Sequence, residues 1–189
     1  MDQIAQYRGT MLNHMEGLYR RGERELAKEL ADALGLTVVE FKFTEDSTPL
    51  VAGHFNDADR DPTNNVVFLF EMSELLQNVV RNLDRAVEQD GELKKAMTAY
   101  RDAAAKMPPL MPHFGIRYRS EAEQAAVVKR LQNDLSPELA KRVSVFQVPH
   151  YEPIAGLPDI NQVFVRTDVI TIGTAGFEQA IELQAVRGS

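Results

Sequence analysis

The chain has 189 residues, a formal net charge of −7 and 44% hydrophobic residues. An acidic chain lacks the basic surface that nucleic acids and anionic membranes attract, so neither is expected as a partner. Cysteine is absent, which excludes disulfides, thiolate nucleophiles and cysteine-based zinc sites. No apolar run reaches membrane-spanning length and no secretory signal is evident, so a cytoplasmic location is expected.

The first predicted unit, residues 1–72, has the element order βαβββ. Its helix is expected over residues 23–34, where Leu26, Leu30 and Leu34 form an apolar stripe and Gly35 follows as a C-terminal cap. The strands are predicted from alternating or continuous apolar residues. They span 12–19, 36–43, 50–55 and 66–71.

The second predicted unit, residues 73–111, is a helical insert or linker. Its apolar residues repeat every three or four positions, and Asp90-Gly91 is expected to divide it into two helices. Packing of its apolar stripe against the sheet is the default interpretation, with a lid or a dimer contact as the alternatives.

The third predicted unit, residues 112–189, repeats the βαβββ order. Ser120 and Glu123 form a capping-box pattern at the start of its helix, and Ser136-Pro137 predicts one more helical turn. Its strands are expected at 113–119, 143–150, 162–172 and 177–186. A repeat of this kind points to one fold built from two similar modules.

Each module carries one histidine on its first strand and one glutamate on its last. These residues are His14 and Glu71 in the first module, and His113 and Glu182 in the second. A glutamate among apolar strand residues is costly to bury unless it is paired, hydrogen-bonded or metal-bound. If the modules face each other, two imidazoles and two carboxylates form a site that suits Zn, Ni, Co, Fe or Mn.

The order of these motifs resembles the vicinal oxygen chelate superfamily, which includes glyoxalase I and the extradiol dioxygenases. The resemblance covers residues 12–72 and 112–186. It is carried by Asn13-His14-Met15-Glu16-Gly17-Leu18, Leu34-Gly35-Leu36-Thr37-Val38-Val39-Glu40, His113-Phe114-Gly115-Ile116-Arg117-Tyr118 and Ile181-Glu182-Leu183. Two features depart from that family: the helical insert is longer than expected, and the last turn keeps only Gly176 of an Asp-Pro-x-Gly pattern.

The resemblance implies an α+β fold in which the two modules form a cupped mixed sheet around a divalent metal. It implies His14, Glu71, His113 and Glu182 as ligands, and a small oxygenated substrate. A glyoxalase-like lyase or isomerase is the preferred function, with Glu182 or Glu71 as the mobile base. The resemblance is compatible with two arrangements: the modules pair within one chain, or they pair across a homodimer.

Two other functions stay open at this point. Without Glu71, the set His14, His113 and Glu182 is that of an Fe(II) ring-cleaving dioxygenase. The superfamily also implies a third possibility, a metal-free protein that binds or sequesters a small molecule.

Three further residues are candidates for the site. His54 is a candidate base or additional ligand, or else a histidine at the end of a strand. Arg117 shares the His113 face by alternation and could bind an anionic group of the substrate or form a salt bridge. His150, at a loop mouth, could touch substrate or be a simple loop residue.

Overall fold

The structure is a computed structural model, and its α+β fold class agrees with the prediction. The described residues are 13–42, 44–45, 47–55, 65–107, 112–148, 159–172 and 178–189. Within these ranges, no helix combines the length and the apolar composition that a bilayer crossing requires.

The first module contains four strands and one helix in the predicted order. They are β1 (His14–Tyr19), α1 (Arg24–Ala33), β2 (Thr37–Phe41), β3 (Leu50–His54) and β4 (Val66–Glu71). Gly35 ends α1 with φ +84°, and the N–H groups of Gly35 and Leu36 donate to the carbonyls of Asp32 and Ala31. This pattern is a Schellman motif, which favours glycine because only glycine adopts positive φ without a steric penalty.

The insert is a hairpin of two helices, α2 (Glu74–Gln89) and α3 (Gly91–Lys106). The predicted break at Asp90-Gly91 is confirmed. The carboxylate of Asp90 accepts hydrogen bonds from the backbone N–H groups of Glu92 and Leu93, at 2.9 and 3.0 Å. Asp90 therefore caps the start of α3, as a short acidic side chain does at an N-terminal cap.

The second module repeats the first and adds a short helix and a short strand. Its elements are β5 (His113–Arg117), α4 (Glu121–Asn133), α5 (Pro137–Ala140), β6 (Val143–Gln147), β7 (Ile160–Thr167), β8 (Ile170–Thr171) and β9 (Gln179–Val186). The strand expected over 162–172 is divided in two, because the hydroxyl of Thr167 accepts a hydrogen bond from the Val169 N–H and turns the chain.

The strands form two mixed sheets, with the orders β2-β3-β4-β1-β8 and β5-β9-β7-β6. In both modules the first strand pairs in parallel with the last one, β1 with β4 and β5 with β9. The remaining pairs are antiparallel. The two modules therefore share one strand order, and the internal repeat seen in the sequence is also a repeat of topology.

One face of each sheet lies in the apolar core with the helices of the modules. Tyr19 and Leu69 of the first sheet, and Ile181 and Leu183 of the second, are at most 1% exposed there. The other face of the second sheet is called the open face. It carries Glu182, Phe164 and Phe146 in register across β9, β7 and β6, and His113 of β5 lies on the same face opposite Ala180.

The two modules are joined at the end of α1. The Tyr118 hydroxyl donates to the carbonyl of Leu34 at 2.8 Å, and Arg130 Nε donates to the carbonyl of Ala33 at 3.1 Å. The two acceptors are the last residue of α1 and the residue that caps it, where a helix leaves its carbonyls without partners. In addition, β8 crosses from the second module to pair with Leu18 and Tyr19 of β1.

Candidate functional site

The parallel pairing of β5 with β9 brings His113 and Glu182 together on the open face. His113 is opposite Ala180 and Gly115 is opposite Glu182 in the register. Since side chains two positions apart share a face of a strand, His113 and Glu182 lie on neighbouring strands and on the same side. Their Nε2 and Oε2 atoms are 3.3 Å apart.

Glu182 is a buried acidic residue, with only 4% of its surface exposed. Gly115 faces it, and a Cβ at that position would lie 3.4 Å from Glu182 Oε2. The absent side chain at Gly115 leaves room for the carboxylate beside β5. A buried carboxylate is costly unless it accepts hydrogen bonds, so the partners of Glu182 determine whether the arrangement is stable.

Gln162 supplies the second partner of this carboxylate, through a hydrogen bond from its side-chain amide to Glu182 Oε1. It lies on β7, next to the strand that carries Glu182. Gln162 was not among the residues that the sequence predicted for the site. The available signal was its alternation with Phe164 and Arg166, which places a polar amide on the same face of an interior strand.

His113 is held against an aromatic ring and is still accessible. Its imidazole packs edge-on against the Phe164 ring, with 5.1 Å between the centroids. The histidine side chain is 24% exposed, whereas that of Glu182 is 6% exposed. The imidazole is therefore the more accessible member of the pair, with the carboxylate behind it.

A groove adjoins this pair where α3 passes over the open face. It encloses about 510 Å³, part of it open to solvent. Met97, Tyr100 and Ala104 of α3 form one wall, and Phe146 and Phe164 of the sheet form the other. Phe164 lines the groove and its ring also contacts His113, so this ring connects the apolar groove with the neighbouring polar pair.

Arg166 lines the groove beside the aromatic residues. Its Nε lies 2.7 Å from Glu178 Oε2, and its guanidinium lies 5.3 Å from the centre of the Phe146 ring. It also donates to the backbone carbonyl of Arg101 on α3 at 3.2 Å. Arg166 thus links the sheet to α3 and fixes one end of the groove.

The first module places His14 at the position equivalent to His113. His14 is opposite Val66, so Phe68 of β4 occupies the position that Glu182 has in β9. The His14 and Phe68 rings are 5.3 Å apart, and His14 Nε2 lies 3.7 Å from Glu16 Oε1. Each module therefore has an imidazole beside a carboxylate, but in the first module that carboxylate belongs to Glu16 of the same strand.

Glu71 does not converge with His14, and the expectation that it would is corrected by the strand register. Glu71 is opposite Tyr19, five positions along the ladder from the His14–Val66 pair. An odd spacing places its side chain on the opposite face of the sheet. There its carboxylate accepts a hydrogen bond from the Gly22 N–H at 3.0 Å.

The other sequence candidates lie away from the pair or outside the described ranges. His54 is 3% exposed and is opposite Val66, so it shares the face of His14 with one strand between them. Arg117 is exposed and shares the open face with His113, opposite Gln184. His150 lies outside the described residues.

The four predicted metal ligands are not assembled in the described part of the chain, where no three histidine, aspartate or glutamate side chains form a group that could hold a metal ion. His113 and Glu182 alone fit neighbouring positions around a metal, because ligand bonds of about 2.1 Å put adjacent donor atoms about 3 Å apart. His14 and Glu71 do not complete that set.

Comparisons with known proteins add little to this geometry. No protein-family model and no curated protein matches the chain. Among solved structures, the chain is similar to a hypothetical protein from S. aureus, with 10% sequence identity and a TM-score of 0.43. That similarity covers 93% of this chain and 99% of the other.

Proposed function

We propose that the open face of the second module binds a small oxygenated organic molecule, with His113 and Glu182 contacting its polar group. The observation that carries the proposal is the buried Glu182 carboxylate, which sits 3.3 Å from an accessible imidazole, and that imidazole packs on Phe164 of the neighbouring aromatic groove. Ligand sites are typically apolar clefts with a few convergent polar groups, and this arrangement matches that description.

The chemistry of the pair supports a ligand that carries a hydroxyl group. A carboxylate accepts a hydrogen bond from a hydroxyl, and an imidazole either donates or accepts one. The aromatic walls formed by Tyr100, Phe146 and Phe164 suit a planar or apolar body. The ligand class that follows is a small aromatic or aliphatic alcohol, or a related hydroxy compound.

The same pair is also suited to moving a proton. If the bound hydroxyl or an adjacent C–H is to be deprotonated, Glu182 is the base and Gln162 holds its carboxylate in place. General acid–base groups must lie within hydrogen-bond reach of the proton that they transfer, and His113, whose side chain is 24% exposed, is the member of the pair that a ligand can reach. If the site is catalytic, the proposed activity is that of an isomerase or lyase.

A metal-dependent enzyme of the vicinal oxygen chelate type is the second candidate. It is favoured by the separation of His113 Nε2 and Glu182 Oε2, which suits two ligands of one divalent metal such as Zn, Ni, Co, Fe or Mn. Fe(II) dioxygenase chemistry needs a third ligand, and His14 does not join the pair in the described residues. A cytoplasmic site of action belongs to the same proposal.

The decisive experiment titrates the protein with phenol, catechol and benzyl alcohol, first without metal and then with Zn²⁺ or Ni²⁺, and follows backbone amide resonances by NMR. We expect saturable shifts at His113, Gln162 and Phe164. Glu182→Gln should weaken binding at least tenfold, since the glutamine amide lacks the negative charge of the carboxylate that accepts the hydrogen bond from the ligand hydroxyl. Glu138→Gln is the matched control, because Glu138 is exposed on α5.

Each outcome discriminates between the candidates. Alcohol binding without metal, sensitive to Glu182→Gln but not to Glu138→Gln, supports the metal-free site. Binding that requires metal and is lost in both His113→Ala and Glu182→Gln supports the metal-dependent enzyme. Shifts that avoid these residues under both conditions would overturn the assignment of the site.

A further inference from the structure

The open face of β5 carries His113, Gly115 and Arg117, so the residue without a side chain lies between two residues with long polar ones. The three are spaced two positions apart along the strand and therefore share one side of it. Gly115 is exposed, and a Cβ there would lie 3.4 Å from Oε2 of the buried Glu182. We call this gap, which is flanked by His113 and Arg117 and has Glu182 as its floor, the Gly115 notch.

The two flanking side chains are placed evenly about the floor of the notch. His113 is opposite Ala180 and Arg117 is opposite Gln184, two positions before and two positions after Glu182 on β9. At about 3.3 Å per residue, each flank lies roughly 7 Å along the sheet from the row of Glu182. The imidazole spans that separation, since its Nε2 lies 3.3 Å from Glu182 Oε2. An arginine side chain is longer than a histidine side chain, so the guanidinium can also contact a molecule in the notch.

The guanidinium of Arg117 carries a positive charge that the described part of the chain does not neutralise. Arg117 is exposed, and no carboxylate within the described ranges forms an ion pair with it. Arg166 on the same face, in contrast, has Glu178 at 2.7 Å. Of the two roles that the sequence left open for Arg117, the structure supplies no partner for the salt bridge, and the anionic group of a ligand remains.

Gln184 adds a neutral hydrogen-bond donor beside that guanidinium. It is opposite Arg117 in the register of β5 and β9, and its side-chain amide makes no hydrogen bond to the described residues. Its neighbour on β7, Gln162, already donates to the Glu182 carboxylate. A guanidinium and a free amide side by side offer several N–H donors, which suit the two oxygens of a carboxylate.

Electrostatics determines how a ligand with both groups is oriented in the notch. A carboxylate placed against the buried Glu182 would be repelled by a like charge. A hydroxyl group is neutral and donates a hydrogen bond, so it suits the floor of the notch beside His113. The anionic group of the ligand therefore belongs on the side of Arg117.

We propose that the Gly115 notch selects a small hydroxy acid, with its hydroxyl on Glu182 and His113 and its carboxylate on Arg117 and Gln184. This inference rests on the proposed function and narrows its ligand class, because a plain alcohol leaves the guanidinium without a partner. The apolar body of the ligand lies toward Phe164, which is opposite Glu182 on β7.

Benzyl alcohol and mandelate test the role of the carboxylate, because mandelate is benzyl alcohol with a carboxylate on the carbon that bears the hydroxyl. Their dissociation constants are measured by NMR titration of the full chain, with and without Zn²⁺. We expect mandelate to bind about tenfold more tightly than benzyl alcohol, as a charged hydrogen bond would produce. Raising the ionic strength should weaken the binding of mandelate and leave that of benzyl alcohol unchanged.

Variants of the notch assign that difference to named side chains. Arg117→Gln should remove the advantage of mandelate without changing the affinity for benzyl alcohol, and Arg117→Lys, which keeps the charge, should restore part of it. Lys129→Gln is the matched control, since it also removes one positive charge, but on the exposed side of α4, behind the core face of the sheet. Gly115→Ala places a methyl group in the notch without a clash and should weaken both ligands.

The outcomes separate this inference from the function on which it rests. An advantage of mandelate that disappears in Arg117→Gln and persists in Lys129→Gln supports the hydroxy acid. Benzyl alcohol that binds beside Glu182 as tightly as mandelate, or an advantage that survives Arg117→Gln, would overturn the inference and leave the proposed function standing. Resonances of the open face that respond to neither ligand would overturn both.

Discussion

A single tyrosine hydroxyl connects the two modules at the residue scale. The Tyr118 hydroxyl donates to the carbonyl of Leu34, and burial raises the pKa of Tyr118 above its ordinary value. Nearby Arg130 acts in the opposite direction and is outweighed. The folded protein therefore stabilises the neutral form of the Tyr118 phenol.

Tyr118→Phe should reduce the free energy of unfolding at pH 7 by about 1–2 kcal/mol, since the Leu34 carbonyl loses its donor. The raised pKa makes the folded state bind the phenolic proton more tightly than the unfolded state does. The contribution of Tyr118 is thus complete below about pH 10 and decreases as the pH rises above that value. Urea titrations at pH 7, 9 and about 10.5 should show the free energies of unfolding of Tyr118→Phe and of the unaltered protein approaching each other at the highest pH. A difference that stays constant with pH would exclude this account.

The buried carboxylate shows what a residue pattern can predict and what it leaves out. His113 and Glu182 were both predicted, because each lies at an end of a module and each is unusual in its strand. Gln162 was not predicted, since its role depends on the register of β7 against β9. Glu71 was grouped with His14 because alternation reveals which residues share a face within one strand, but it does not reveal which face is shared between strands.

At the element scale, Gly35 determines how α1 ends. Its φ of +84° is needed for the Schellman motif, and a Cβ there would meet Val127 and Arg130 of the second module at 3.4 Å. The end of α1 is thus both a local cap and a contact between modules.

Gly35→Ala should lower the free energy of unfolding by about 1–2 kcal/mol, because a residue with a Cβ is strained in the left-handed region. Gly91→Ala is the matched control, since the site beside Gly91 is open and alanine favours a helix over glycine. We expect chemical denaturation to show a lower midpoint for the first variant and an equal or higher midpoint for the second. Equal midpoints of Gly35→Ala and the unaltered protein would contradict the strain argument.

Most elements were predictable because local signals decided them. The Asp90-Gly91 break, the Ser120 cap and Gly35 each act through neighbouring residues, so the sequence contains the cause. The division of β7 from β8 was missed, as it depends on a hydrogen bond from Val169 to the Thr167 side chain. The groove was not predicted, because it forms only where α3 packs over the second sheet, and that tertiary contact leaves no local signal in the sequence.

At the scale of the whole molecule, Arg142 joins charges from both modules. Its guanidinium is 2.9 Å from Glu23, which precedes α1, and 2.8 Å from Asp168, which lies between β7 and β8. Burial lowers the pKa of Arg142, but the hydrogen bonds to Asp168 and Glu23 outweigh that effect and leave it above its ordinary value. The ion triad therefore fastens the second module to the first near the crossing of β8.

Arg142→Met should lower the free energy of unfolding by about 1–3 kcal/mol, because Glu23 loses the cation beside it and Asp168 keeps only the longer 3.5 Å contact with Arg20. Lys141→Met, at the neighbouring exposed position, should change it by less than about 0.5 kcal/mol. Calorimetry of both variants checks the difference. Similar melting temperatures for the two would show that the triad contributes nothing to the junction.

The crossing of β8 has a consequence for the newly made chain. The strands of the first module are complete by residue 71, but within the described ranges part of the β1 edge gains its partner from residues 170–171. Translation at about 5–20 residues per second separates these events by roughly 5–20 s. During that interval a ribosome-bound chain presents an unpaired strand edge, which neighbouring nascent chains on one messenger RNA can join by mistake. Slow translation between codons 72 and 170 is thus expected to lower the yield of native protein.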